Sequence, residues 1–387
     1  MRVLFTSTSG IGHVQPIIPL ALATRAQGHD VLFATAHDSC DMIRSTGIAT
    51  IAAGLTAPER MGMYRQRFPE SAQLVGSALP DHMFPHLFGA VAAPRMYAEL
   101  VGPATDWQPD VIVCDAAELA GPVVAASLGV PNVTHSFGTA TPAHRVEAAA
   151  PFLADLWSAN GLEPRPFGGC YDHLYIDIYP PSMQPGNLSR LGRIIRRRPE
   201  SADQMPGYEK SSTLDGFLKR ALHDRPLVYV TFGTVFNSND AFRAVAVATQ
   251  SFQALFVVTV GPNGDPTALG TLPDNVHIER YIPQSVILDR CTAVISHGGS
   301  GIMLASLSRG LPQLVIPQGA DQYANAAACS AAGAGIAMTD NVTPEVIGAA
   351  LGQIITDPAF RVASDKVAAE ITVMPTADEV VAALTSL

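Results

Sequence analysis

Charge is scarce in this chain. Asp, Glu, Lys and Arg make up only 15% of its 387 residues, and the 24 Lys and Arg are outnumbered by 34 Asp and Glu. The formal charge of −10 argues against general nucleic-acid binding, because phosphate backbones are held by clustered cations. The one basic run, 193–198 (RIIRRR), reads as a solvated edge between domains rather than a binding patch. Cysteine is sparse too. Cys40, Cys114, Cys170, Cys291 and Cys329 are odd in number, scattered and without metal-ligand spacing, so they read as reduced thiols. No DxD-like carboxylate pair is assignable to a metal. No apolar run is long enough to span a bilayer, although 48% of residues are hydrophobic, since much of that content is alanine on helices interrupted by Gly and Pro. Met1 opens directly on a strand-like run without the segments of a secretory signal, which points to the cytoplasm.

The length corresponds to about two to three domains. An apolar β run at 3–6 is followed by the small-residue loop 7–12, His13, and a helix over 14–27 that Gly28 ends. Strands at 31–35 and 48–52 with a helix at 37–45 between them establish parallel βα alternation. The stretch 54–95 shows no single period. It reads either as a functional loop or lid, or as helices packing on one another. Regularity returns with a strand over 109–115 that ends in Asp115, then a helix to Leu128, Gly129, and a strand over 130–135. A second irregular stretch covers 136–181, and 188–224 reads as the interdomain connection. A new series follows, with strands at 227–231, 255–260 and 276–280. These lead into Phe232-Gly233-Thr234 and Tyr281-Ile282-Pro283-Gln284. The shared grammar of the two halves predicts an α/β protein of two doubly wound domains facing across a cleft.

The chain is organised around 293–322. A short buried strand at 293–296 gives way to His297-Gly298-Gly299-Ser300-Gly301, a turn opening a helix that ends at Arg309 with Gly310 as its stop. Such a turn leaves backbone N–H groups uncovered at the positive end of a helix, the local chemistry of a phosphate site. It equally serves to pack a helix closely on its sheet. A second strand at 313–316 ends at Pro317-Gln318-Gly319-Ala320-Asp321-Gln322 and brings a carboxylate and an amide to the same sheet edge, where ligands of open α/β sheets bind. His13 stands at the matching edge in the first half, where it is either a structural histidine or a catalytic one.

HGGSG at 297–301, GLPQLVIPQGADQ at 310–322, Asn325, the AAGAG run ending at Gly335 and the GHxxPxxPL pattern at 12–20 together resemble nucleotide-sugar-dependent GT-B glycosyltransferases. The likeness is to the bacterial enzymes that decorate macrolides, aromatic polyketides and enediynes, and it covers nearly the whole chain. It implies two Rossmann-like domains: 1–205 for the acceptor, a linker 206–224, 225–370 for the sugar nucleotide, and a C-terminal helix in 371–387 that returns to the first domain. It makes His13 the general base and Asp115 its partner, with Glu118 in reserve. Donor contacts fall to Gly233, Thr234, Tyr281, Ile282, Gln284, His297, Gly298, Gly299, Ser300, Gly301, Asp321 and Gln322. Met61, Phe84, Phe88 and Phe137 are expected to line an apolar acceptor pocket, since Met and aromatic side chains adapt to flat hydrophobic ligands.

Two departures stand out. Ile302 and Met303 occupy positions where relatives commonly carry hydroxyl residues, which removes a side-chain contact to phosphate. Ala305 stands where plant relatives have a glutamate bridging the ribose hydroxyls, and no acidic residue lies in 298–319. A site without that partner favours a deoxyribose, hence a thymidine diphosphate donor carrying a deoxysugar. The implied reaction is inverting transfer to a hydroxyl of an apolar natural-product aglycone in antibiotic biosynthesis. No metal and no cofactor beyond the sugar nucleotide are expected. The partners are the two small molecules, with no nucleic acid and no integral membrane association, and a homodimer is admitted. The rival readings are a nucleotide-sugar epimerase of similar architecture and a non-catalytic auxiliary subunit; retention of both His13 and Asp115 speaks against the latter.

Overall fold

The computed structural model describes residues 1–74, 76, 78–200, 211–221, 225–233, 239–250, 252–261, 264–270 and 272–387. Its chain divides into two compact units. One comprises Met1–Tyr179, Pro185–Ala202 and Met374–Leu387, and the other Pro180–Gln184 and Asp203–Val373.

The first unit is built on seven parallel strands: β1 (Arg2–Thr6), β2 (Asp30–Thr35), β3 (Ala49–Ala52), β4 (Val111–Asp115), β5 (Asn132–His135), β6 (Leu174–Asp177) and β7 (Ile194–Arg196). They lie in the order β3-β2-β1-β4-β5-β6-β7. Strand order reverses between β1 and β4, whose Thr6 and Cys114 are paired, so the two carboxyl ends sit side by side at the switch point. Alternate residues of β1 feed opposite faces. Leu4 joins a core with Leu100, Ile112 and Val123. Val3 and Phe5 join another with Leu20, Phe33 and Val113, completed by Val380, Val381 and Leu384 of the helix Ala377–Thr385.

The structure revises or decides three readings. The expected helix over 14–27 forms as two pieces, Ile11–Val14 and Ile18–Ala26, with His13 inside the first. Pro16 and Pro19 supply no N–H donor where a continuous helix would need one. Of the two readings of 54–95, packed helices is the one found: Ala57–Arg67, Ala78–Met83 and the π-helix Phe84–Ala92 lead into Ala93–Trp107. A capping box of Thr56 and Glu59 starts the first of them. The basic run forms the edge strand β7 with Arg193 and Arg196 exposed, but Arg197 just beyond it is fully buried rather than solvated.

The second unit carries six parallel strands: β8 (Leu227–Thr231), β9 (Leu255–Thr259), β10 (Val276–Glu279), β11 (Ala293–Ser296), β12 (Gln313–Val315) and β13 (Gly335–Ala337). Their order is β10-β9-β8-β11-β12-β13. Within 206–224, Ser212–Ala221 forms a helix whose Leu214, Phe217 and Leu218 pack with Leu227, Tyr229 and Ile282. That part of the expected linker is a core element. Among the described residues no helix is long and apolar enough to cross a membrane. All five cysteines are free and buried.

Candidate active site

In the first unit the switch point gathers a histidine, a carboxylate and two aromatic rings. Asp115 is the last residue of β4, and the loop after β1 carries His13 to it. His13 Nδ1 lies 3.0 Å from Asp115 Oδ2, with the carboxylate 1% and the imidazole 19% exposed. The contact is close but not aligned as a hydrogen bond; such pairs tighten when substrate binds. Thr8 Oγ1 donates to the same Oδ2 at 3.2 Å. Phe137 and Phe88 flank the imidazole at centroid distances of 4.5 and 5.7 Å. A carboxylate on one imidazole nitrogen leaves Nε2 to accept a proton and stabilises the cation so formed.

The expected acceptor residues divide. Phe88 and Phe137 stand beside His13, whereas Phe84 is 7% exposed and built into the core, reaching the site only through Phe88 at 5.4 Å. Met61 packs with Phe88 on the cluster of Tyr64, Leu87 and Val91.

Glu118 has a different job from the one held in reserve for it. Its carboxylate accepts from Thr6 Oγ1 at 2.6 Å, from Ala120 N at 2.7 Å and from Gly121 N at 3.0 Å. It thereby satisfies two of the backbone N–H groups at the start of the helix Gly121–Leu128. Burial pushes its carboxyl up to about 7, against the pull of those donors. The folded state thus holds its proton more tightly than the unfolded chain. The stability this group contributes is complete below the ordinary carboxyl range and is lost as pH rises through about 7. We expect Glu118→Gln to flatten the urea-denaturation stability of the first unit between pH 5 and 8, where the wild type loses about 3 kcal/mol to this group. Equal slopes in the two proteins would refute the assignment.

The backbone next to His13 is held from across the sheet. Arg197 Nη2 donates to the Pro16 carbonyl at 2.6 Å, Nη1 to the Arg198 carbonyl at 3.1 Å and Nε to His135 Nε2 at 3.3 Å. Burial, and then the neighbouring guanidinium, hold His135 well below the usual imidazole range, so it stays neutral and accepts.

In the second unit the carboxyl ends of β8, β11 and β12 are adjacent, with Ser296 paired to Thr231 and Val315. His297 follows β11 and fits between two glycines. A Cβ on Gly233 would come within 2.8 Å of its ring, and one on Gly299 within 2.6 Å. Burial lowers the imidazole below its usual range, opposed by the carboxylate of Asp321. Asp321 does not cap the helix Gln322–Ala331; its Oδ2 accepts from Ser300 Oγ and Asn325 Nδ2, each at 3.0 Å. Asn325 also donates to the Gly298 carbonyl at 2.9 Å, tying the glycine turn to the loop after β12. Gln322 spends its side-chain oxygen on the backbone N–H groups of Gln318 and Gly319, at 2.7 and 3.0 Å. Gly299 begins the helix Ser300–Leu307 without a side-chain cap, so the N–H groups of Ser300 and Gly301 remain for an anion.

The structure therefore brings together Gly233, His297, Gly298, Gly299, Ser300, Gly301, Asp321 and Gln322. Tyr281, Ile282 and Gln284 follow β10, which β9 separates from β8. Ile282 is 1% exposed and packs in the core cluster with Leu214 and Ile302. Thr234 lies outside the described residues. Ile302 and Met303 are buried, the former in the cluster with Ile282, so neither side chain stands where a phosphate would lie. Sequence reasoning missed Thr8, for which the run of hydroxyl residues after β1 was the available signal, and Arg60.

Residues 22–190 match the erythromycin biosynthesis protein CIII-like N-terminal domain family, and 245–387 the corresponding C-terminal domain family. The elloramycin glycosyltransferase ElmGT of Streptomyces olivaceus is 31% identical over 99% of this chain and 97% of its own. The L-demethylnoviosyl transferase of Streptomyces niveus is 32% identical over 97% and 95%. Among solved structures, the glycosyltransferase SsfS6 of Streptomyces sp. SF2575, complexed with thymidine diphosphate, superposes over the whole of both chains with a TM-score of 0.76 and 26% identity.

Proposed function

Since this chain belongs to the erythromycin biosynthesis protein CIII-like family and is a glycosyltransferase of GT-B fold, we propose that it transfers a deoxysugar from thymidine diphosphate, with inversion, to a hydroxyl of an apolar natural-product aglycone. The observation that carries this reading is the His13–Asp115 pair at 3.0 Å with Phe88 and Phe137 around it: a base beside an apolar wall. The first unit takes the acceptor. His13 Nε2 removes the hydroxyl proton as the oxygen attacks the anomeric carbon, while the bond from that carbon to the diphosphate oxygen breaks. A single displacement of this kind inverts the carbon. His297 and the uncapped helix start meet the departing diphosphate in the second unit, supplying donors where charge develops. The sugar nucleotide is a co-substrate, and no further cofactor takes part. Incubation with thymidine and uridine diphosphate sugars, with and without an apolar alcohol, tests the reading. Acceptor-dependent release of diphosphate is expected. Sugar conversion without acceptor would instead indicate an epimerase.

The donor's nucleoside follows from Ala305, which packs half-buried against the cluster of Leu214, Ile282 and Ile302. It offers the ribose 2′-hydroxyl no partner, and 298–319 holds no acidic side chain to do so. Competition calorimetry should show thymidine diphosphate binding at least as tightly as uridine diphosphate. Clearly tighter uridine diphosphate binding would overturn this choice of donor.

A further inference from the structure

Arg60 lies in the helix Ala57–Arg67, outside every motif that marks the family, and is 6% exposed. Among the described residues its guanidinium makes one hydrogen bond, from Nη2 to the Ser9 carbonyl at 3.2 Å, and its buried Nε has no partner. No carboxylate among the described residues comes within ion-pair distance of it. Asp115 and Asp38 act on it only through their fields, and burial depresses its protonation to about 10, so it stays charged at neutral pH. An under-partnered buried cation is costly, and it persists where something else completes it.

What surrounds Arg60 points to a ligand. It faces a small cavity whose other walls include Ser7, Thr8, Ser9, Phe88, Met96 and Glu118, the oxygens of the last already engaged by Thr6, Ala120 and Gly121. Its guanidinium lies 5.2 Å from the Phe88 ring, and His13 is another neighbour of that ring at 5.7 Å. The loop after β1 makes the same link twice over, with Thr8 bonded to Asp115 and Ser9 bonded to Arg60. The cation is therefore a neighbour of the base without touching it. Planar N–H donors in fixed geometry suit a delocalised oxyanion.

We propose that Arg60 is a specificity-determining residue that binds an anionic oxygen of the acceptor, a carboxylate or an ionised phenol or enol, while His13 acts on a separate hydroxyl of the same molecule. This rests on the reading of the first unit as the acceptor site. The acceptor class is then an acidic polycyclic or aromatic compound rather than a neutral one, with the aromatic body against Phe88 and Phe137.

The test uses hydroxynaphthoate and its methyl ester as probes, titrated into the full-length protein by isothermal calorimetry, so that it does not depend on turnover. The acid should bind about tenfold or more tightly than the ester, the yield of one charge-assisted hydrogen-bond pair. Arg60→Met should abolish the preference by weakening the acid alone, and Arg60→Lys should retain part of it. Equal binding of acid and ester to the wild type overturns the proposal while leaving the acceptor pocket intact, and that comparison needs no variant to fold. A preference that survives Arg60→Met also overturns it, as does a variant that weakens both probes equally, which would make Arg60 a prop for Phe88. Failure of either probe to bind, or binding insensitive to Phe137→Ala, removes the acceptor-site reading and this proposal with it.

Discussion

His13→Ala should lower turnover on a hydroxyl acceptor by about 10²–10⁴-fold, the range that general-base assistance contributes, with thymidine diphosphate affinity nearly unchanged. The separation of effects is expected because His13 sits after β1 in the first unit, whereas the glycine turn and His297 belong to the second. Asp115→Asn should cost less. An amide at 3.0 Å still orients the ring, yet it cannot stabilise the imidazolium, and Thr8 Oγ1 would lose its charged acceptor. Measured kcat values on both variants, alongside calorimetric donor binding, check this. Turnover near the wild-type value in His13→Ala would remove the histidine from the chemistry.

Arg197→Ala should destabilise the first unit by about 3–5 kcal/mol, because the Pro16 carbonyl and His135 Nε2 lose a buried donor and a cavity opens where the guanidinium was. Against a domain stability of about 5–15 kcal/mol that is a large fraction. Pro16 lies in the break between the two short helices that Pro19 imposes, so its carbonyl has few alternatives. Arg197→Lys should recover part of the loss by reaching Pro16 alone. Urea denaturation of the three proteins gives the comparison, and a loss below about 1 kcal/mol for the alanine variant would show that the staple carries little.

The strands that place the site were legible because a parallel sheet buried on both faces writes itself as continuous apolar runs. The 293–296, 313–316 and 227–231 runs are of this kind, and so is 3–6. The helices of 54–95 were legible only as one of two readings. Phe84, Pro85, Leu87, Gly89, Ala90, Val91 and Ala92 are buried nearly all round the π-helix, which leaves no single apolar stripe to count. One local signal was nonetheless present, the T-A-P-E capping box at 56–59. β7 was hidden by its own composition, since arginines in a row suggest solvent. Only the three-dimensional fold shows Arg197 meeting acceptors contributed by residues about β1 and β5. At the site, His13 and Asp115 could be paired on motif and strand-end position. The roles of Glu118 and Arg60 could not, because a carboxylate bound to helix-start N–H groups and an unpaired buried cation are defined by which groups surround a side chain.

The helix Ala377–Thr385 completes the core around β1, and this sets an order of events during synthesis. The first unit is written in separate stretches of chain, with nearly all of the second inserted between them. On the ribosome its sheet can assemble early, but Val3, Phe5 and Leu20 remain without Val380, Val381 and Leu384 until 374–387 have emerged. The inserted unit, nearly contiguous, has all its own strands before then. The unit carrying His13 is thus made first and finished last, and a chain cut before 374 would present that unfilled apolar face to chaperones rather than bury it.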